Sequence, residues 1–171
     1  MADLAPQERL QPSLLDRLTD DQPGERNESR DRRVLSMRRL RESVLRDLSW
    51  LMNADNLAQT EDLTDFPYVA ASTLNYGLRD IAGISLSTAL VAAYEREMRQ
   101  AILDFEPRIL PHSLQVRAIL QADRMDRQTL SFEIEGEMWA DPVPMRVLLK
   151  SEVDVESGEA TVTEASDSRV A

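Results

Sequence analysis

Residues 130–138 of this chain have the sequence LSFEIEGEM, and their alternation indicates the class of fold. Leu130, Phe132, Ile134 and Met138 alternate with a serine and three glutamates. Successive side chains of a strand point to opposite faces of a sheet. The stretch therefore predicts a strand with one apolar and one polar face.

Similar alternation extends to both sides of this stretch. Residues 113–121, SLQVRAILQ, place an apolar side chain at every second position, and residues 145–155 keep the same period with Ser151 as a polar interruption. The turn-like sequence ESGE at 156–159 leads into a short fourth strand, Ala160 to Thr163. Strands with one apolar face, joined by short turns, predict an antiparallel meander.

The chain before these strands has a helical period. Apolar residues recur every three or four positions from about Arg32 to Met52 and again from about Ser85 to Asp104, while Phe66-Pro67 opens one or two helical turns that end near Gly77. Pro107 stops the second long helix, because proline lacks a backbone N–H. The predicted fold class is α+β, with helices packed on one face of a small antiparallel sheet. The predicted core positions of the helices are Val34, Leu35, Met37, Leu40, Val44, Leu45, Leu48, Leu51 and Met52 in the first, and Leu86, Leu90, Val91, Tyr94, Met98, Ala101, Ile102 and Phe105 in the second.

We divide the chain into a flexible segment 1–30, a single α+β domain 31–163 and a tail 164–171. The first segment is polar and contains three prolines, but its sequence QPSLLDRLTDD places Leu14, Leu15 and Leu18 at helical spacing. A helix this short is not stable alone. These leucines therefore need a surface, either on this domain or on another protein, and we predict a docking motif.

Composition excludes several classes of function. The net charge is −11, and residues 51–171 carry the whole acidic excess, which argues against a nucleic-acid partner. No stretch has the roughly 20 apolar residues that a membrane helix needs, so we predict no membrane insertion. There are no cysteines, and the N-terminus lacks the pattern of a secretory signal. These features predict a cytoplasmic protein.

Catalytic and metal-binding motifs are missing from the sequence. The single histidine, His112, has no cysteine nucleophile or GxSxG motif to accompany it, and HExxH and glycine-rich phosphate loops are absent. A glycoside hydrolase needs two carboxyl groups, one of them protonated. Glu106 beside Phe105 is a candidate, but neighbouring Arg108 favours the ionised carboxylate. We therefore predict no enzyme activity, metal or cofactor, with a glycan hydrolase that uses Glu106 as the alternative.

The sequence FEPRIL, residues 105–110, lies where helix gives way to sheet. Pro107 fixes the backbone there, and Glu106 and Arg108 can each form a charge-assisted hydrogen bond. Two interpretations stay open. Either both charges are satisfied within the domain, or Arg108 presents its planar donors to a partner protein.

Six stretches in this order carry a family resemblance. They are PSLLDRLTD, LRESVLRDLSWLMN, FPYVAASTLNYGLRDIAG, FEPRI, FEIEGEMW and LKSEVDVESGEATV, and they span about residues 10–163. The chain resembles the TssE family, the baseplate wedge subunits of bacterial type VI secretion systems, which is similar to a wedge protein of contractile phages. The group is often labelled lysozyme-like, but the resemblance implies a structural role.

The resemblance implies partners and a location. It implies a cytoplasmic baseplate docked at the inner membrane, with contacts to the wedge subunits TssF and TssG, a position near TssK, and a connection to the sheath proteins TssB and TssC. The motif of the family falls on Glu106, Pro107 and Arg108 and resembles a contact that holds the wedge together. Strand exchange with the sheath would use an unpaired strand, either 145–155 or 160–163. A regulatory adaptor resembles the same fold and is a further alternative.

Overall fold

The computed structural model describes residues 13–19, 37–85, 87–119, 129–139 and 144–165. Several predictions lie outside these ranges. They are the flexible character of most of segment 1–30, the first residues of the first long helix with Val34 and Leu35, the side chain of Met37, Leu86, residues 120–121 at the end of the first predicted strand, and the tail beyond Ala165.

The sheet is the antiparallel meander that the alternation predicts. Its strands are β1 (Gln115–Ile119), β2 (Thr129–Met138), β3 (Met145–Asp154) and β4 (Ala160–Glu164), and their spatial order is the chain order. In the register, Ile134 lies opposite Val116 on one side and Leu149 on the other. Apolar side chains of neighbouring strands therefore share one face.

The two long helices cover that apolar face. The helices of the described ranges are α1 (Leu14–Leu18), α2 (Met37–Met52), α3 (Pro67–Ala70) and α4 (Thr88–Phe105), with 3₁₀ turns at Leu57–Gln59 and Thr73–Asn75. Helix α2 packs against β4, α4 packs against β1, and the two long helices touch each other. The α+β class, with helices on a four-stranded antiparallel sheet, is confirmed.

The core is built mostly from the predicted positions. The ring of Tyr94 on α4 lies with its centroid 5.5 Å from that of Phe132 on β2. Ser151, the polar interruption of β3, is fully buried, and its Oγ lies 3.3 Å from Sδ of Met52. The other buried core side chains of the long helices and strands include Leu40, Val44, Leu48, Leu51, Val91, Met98, Ala101, Ile102, Val116, Leu130, Ile134, Met138, Val147, Leu149, Val153 and Ala160.

The sheet places the two candidate strands for partner pairing differently. Residues 149–153 of β3 pair with β4 on one side and with β2 on the other, so β3 is an interior strand there, whereas β4 lies at the edge. The side chain of Asn53 bonds to this edge at Ala160. Its Oδ1 accepts from the Ala160 N–H at 2.9 Å, and its Nδ2 donates to the Ala160 carbonyl at 2.8 Å.

A loop between α2 and α4 closes on itself through its own backbone. The Leu78 N–H donates to the carbonyl of Ala54 at 2.8 Å, and the Asn56 N–H donates to the carbonyl of Leu78 at 3.1 Å. Gly77, where we predict the helical turns to end, has a φ of 119°, and a Cβ there would lie 2.1 Å from the Ala54 carbonyl oxygen. Only glycine fits this close approach.

Within the described ranges, none of the helices has the length and apolar character that crossing a membrane requires.

Candidate functional site

The corner at residues 106–110 is joined to the end of β2 by its backbone. The Ile109 N–H donates to the Glu106 carbonyl at 3.1 Å, which makes a turn with Pro107 in its second position, where its fixed φ is favoured. The Leu110 N–H then donates to the carbonyl of Glu137 at 2.8 Å, and the Trp139 N–H to that of Arg108 at 2.7 Å. The corner is therefore held on both sides of Arg108.

Arg108 is the centre of a charged network beneath the corner. Its Nε donates to Oε1 of Glu106 at 2.6 Å, and its Nη2 donates to the other oxygen of the same carboxylate. Nη2 also lies 2.6 Å from Oδ2 of Asp47, and Nη1 lies 3.1 Å from Oγ of Ser43. Both carboxylate oxygens of Glu106 and three nitrogens of the guanidinium thus have partners inside the chain.

Helix α2 supplies two members of this network that our sequence analysis missed. Ser43 and Asp47 are four residues apart, so they lie on the same side of the helix, next to buried Val44 and Leu48. Ser43 is itself buried. Two hydrogen-bonding side chains at this spacing beside the apolar stripe were the available signal, because a buried polar side chain needs a partner on the element that covers it.

The site is strongly electrostatic. Burial by itself lowers the pKa of Arg108, but the hydrogen bonds and negative charges of Glu106 and Asp47 outweigh it and raise the pKa above its usual value. Tyr76 lies beside the network, where burial and the negative charges of Asp47 and Glu106 raise the pKa of its phenol. Arg108 is therefore a permanent cation between two carboxylates.

This geometry suits a structural joint better than an acid catalyst. Glu106 is only 2% exposed, and each of its side-chain oxygens accepts from Arg108. Two shallow surface grooves lie elsewhere, between α2 and the ends of β3 and β4, and Glu106 lines neither. His112 is exposed, and no cluster of His, Cys, Asp or Glu able to hold a metal ion exists among the residues that the structure describes.

A family model matches the part of the chain that contains this joint. The model is that of the baseplate wedge protein gp25, and it matches residues 38–143, more than half of the chain. The chain belongs to the gp25 baseplate wedge family. A baseplate structural role, and the predicted resemblance to TssE-like and phage baseplate wedge proteins, are thereby confirmed.

The gp25 family match extends from the first turn of α2 to just beyond β2. It therefore includes Ser43, Asp47 and the whole corner from Glu106 to Leu110. One solved structure similar to this chain is a tail lysozyme from Geobacter sulfurreducens, with 17% sequence identity and a TM-score of 0.43 over 79% of this chain and 97% of that chain. No curated protein matches the chain.

The leucine motif lies on α1, outside the gp25 match. Ser13 caps this helix by accepting from the Asp16 N–H at 3.3 Å. Leu14 and Leu18 are more than 70% exposed, and Leu15 is 44% exposed, so the domain does not bury them. The structure leaves these leucines available, and their role in docking stays a prediction.

A polar contact connects α1 to the site. Nη1 of Arg46 lies 2.6 Å from Oδ1 of Asp16, and Nε of the same arginine donates to Oδ1 of Asp47 at 2.9 Å. Asp47 also accepts from Arg108 through its other oxygen. The two predicted partner-binding motifs are therefore joined by one line of alternating charges, which the sequence spacing did not reveal.

Proposed function

We propose that this chain is a non-enzymatic wedge subunit of a type VI secretion baseplate. In this proposal it binds the wedge subunits TssF and TssG through the corner at residues 106–108, lies near TssK, and helps to connect the baseplate to the TssB and TssC sheath. The assembly is cytoplasmic and docks at the inner membrane. The observation that carries the proposal is the gp25 family match, which includes this corner. The charged side chains of the corner bond to one another and to α2 within the domain.

The exposed part of the corner is what a partner would contact. Pro107 is exposed, Arg108 is partly exposed, and the Glu106 carboxylate is enclosed below them. A turn held by the network and by three backbone hydrogen bonds loses little freedom when a partner binds, which favours affinity. Glu106 thus supports the contact by orienting Arg108.

Co-purification tests this contact without disturbing the network. We expect Pro107→Arg to remove binding to co-expressed TssF and TssG, because a charged side chain would stand on the contact surface, while the unfolding midpoint stays near that of the parent. Pro144→Arg is the matched control, since Pro144 is exposed just before β3. Undiminished recovery of both partners with Pro107→Arg would contradict the proposed contact.

The hydrolase and adaptor alternatives have separate tests. A hydrolase predicts peptidoglycan turnover by the purified protein that is lost in Glu106→Gln. A regulatory adaptor predicts that the chain binds one regulatory protein and is not recovered in an assembled baseplate. The enclosed carboxylate of Glu106 supports the structural proposal against the first of these.

A further inference from the structure

Residues 54–78 form a closed lobe between α2 and α4, which we call the acidic lobe. The backbone bonds between Ala54, Asn56 and Leu78 close its base. Inside it, Asn75 acts as a clamp, since its Oδ1 accepts from the Ala58 N–H at 2.9 Å and its Nδ2 donates to the Ala70 carbonyl at 2.9 Å. These hydrogen bonds hold the turns of the lobe to one another.

Large apolar side chains of the lobe are exposed to solvent. Tyr68 is 92% exposed, Leu74 is 69% exposed, and Phe66 is 58% exposed. Ordered turns that display several large apolar groups within nine residues are typical of a protein-binding surface. Neither the corner at residues 106–108 nor the leucine motif includes these residues.

The charge of the lobe is of one sign. Asp55, Glu61, Asp62 and Asp65 are all exposed, and residues 54–78 contain no lysine or arginine. Arg79, which follows directly, is paired with Glu97 at 2.5 Å. Among the residues that the structure describes, none of these four carboxylates forms an ion pair, so the exposed apolar groups stand beside four negative charges.

We propose that the acidic lobe docks into an apolar groove with a lysine- and arginine-rich rim on a wedge partner. This inference rests on the proposed function and adds a second contact to it. Opposite charges steer and orient such an encounter, while Tyr68 and Leu74 supply the buried centre. A second copy of this chain is disfavoured because its net charge is −11, and an anionic membrane surface is disfavoured for the same reason.

The test measures binding of the purified full chain to a TssF–TssG complex. We expect Tyr68→Ala with Leu74→Ala to weaken binding at least about tenfold, because aromatic and aliphatic anchors dominate interface affinity. Both side chains are exposed, so the unfolding midpoint should not change. Ile84→Ala is the control, since Ile84 is 42% exposed and lies outside the lobe.

A charge variant gives an independent measurement. Glu61→Gln with Asp65→Asn should lower the association rate and flatten its salt dependence. Asp62 is left in place because its carboxylate accepts from the backbone and hydroxyl of Thr64. The control variant is Glu42→Gln with Glu159→Gln, two exposed acids outside both the lobe and the corner.

Each outcome supports or overturns the inference. Weaker binding of both lobe variants, with parental binding of both controls, supports it. If the lobe variants bind as the parent does while Pro107→Arg does not, the lobe inference is overturned and the proposed function stands. If the parent itself does not bind TssF–TssG, both the lobe inference and the proposed function are overturned. The lobe inference would also be overturned if Tyr68→Ala with Leu74→Ala changed only self-association, measured by sedimentation, or only binding to anionic vesicles.

Discussion

The corner at residues 106–110 and the acidic lobe use charge in opposite ways. At the corner, Glu106 and Asp47 both bond to Arg108, so each of these three charges has a partner of opposite sign within the chain. In the lobe, four carboxylates stand together with no cation among them. The comparison indicates that charges hold the fold together at the corner, whereas charges in the lobe remain available to a partner.

The largest effect should come from breaking the network of the corner. Arg108→Ala leaves the carboxylate of Glu106 buried without its counter-ion, and we expect a loss of about 3–5 kcal/mol in the free energy of unfolding. Urea unfolding measures this. Arg117→Ala, at an exposed position of β1, should change stability by less than about 0.5 kcal/mol.

This expectation sharpens how the corner is tested. From sequence alone, Glu106→Ala or Arg108→Ala is expected to leave the domain folded and to weaken partner binding. The network shows that Arg108→Ala also removes the bonds between α2 and the corner, whereas Glu106→Ala removes the carboxylate that orients Arg108. A loss below about 1 kcal/mol for Arg108→Ala would mean that the network contributes little to the fold.

A smaller effect is expected at the base of the lobe. Gly77→Ala should cost about 2–3 kcal/mol, because the new Cβ meets the Ala54 carbonyl oxygen and because φ is positive there. Gly83 also has a positive φ, but a Cβ there meets nothing within 4 Å, so Gly83→Ala should cost only about 1 kcal/mol. Thermal unfolding of the two variants compares them, and equal losses would contradict a crowded lobe base.

The smallest effect concerns the link between α1 and the corner. Burial raises the pKa of Asp16, but hydrogen bonds from Arg46 and Ser13 outweigh it, and the net pKa is lowered. A carboxylate with a lowered pKa stabilises the folded state above its unfolded pKa of about 3.9, and that stabilisation is lost as the pH falls through the folded value. Asp16→Asn should therefore cost at most about 1 kcal/mol at neutral pH.

Carboxyl NMR of Asp16 measures this link directly. Its titration midpoint should lie below that of an unfolded aspartate, and Arg46→Gln should move it upward. The matched control is Arg38→Gln, whose arginine pairs with Glu42 on α2 and not with α1. An unchanged midpoint in Arg46→Gln would mean that α1 is not held by this pair.

The sheet and the helices were predictable because their side chains repeat. Phe132 and Ile134 on β2, and Leu48 and Met98 on the helices, are buried where the periods place them. Ser151 shows the limit of this reasoning, since a polar residue in an apolar register is buried against Met52. Period places Ser151 on the inward face, but it does not say which side chain its hydroxyl contacts there.

The candidate site was predictable only in part. Pro107 and the two flanking charges identify the corner, but the choice between internal and external partners depends on Asp47, which is 61 residues away from Arg108 in the chain. Sequence spacing cannot supply a contact between distant elements. The acidic lobe was missed for a related reason, because residues such as Phe66 and Leu74 are expected in a core and are here exposed.

Asn53 determines where an added strand could begin to pair with the outer edge of β4. Its amide occupies the outward N–H and carbonyl of Ala160, so the first position of that edge is already paired by a side chain. A strand that adds to β4 must therefore begin beyond Ala160 and proceed toward Glu164. Identical chains that stack edge to edge on β4 would find that first position already paired, which shortens the edge open to such stacking.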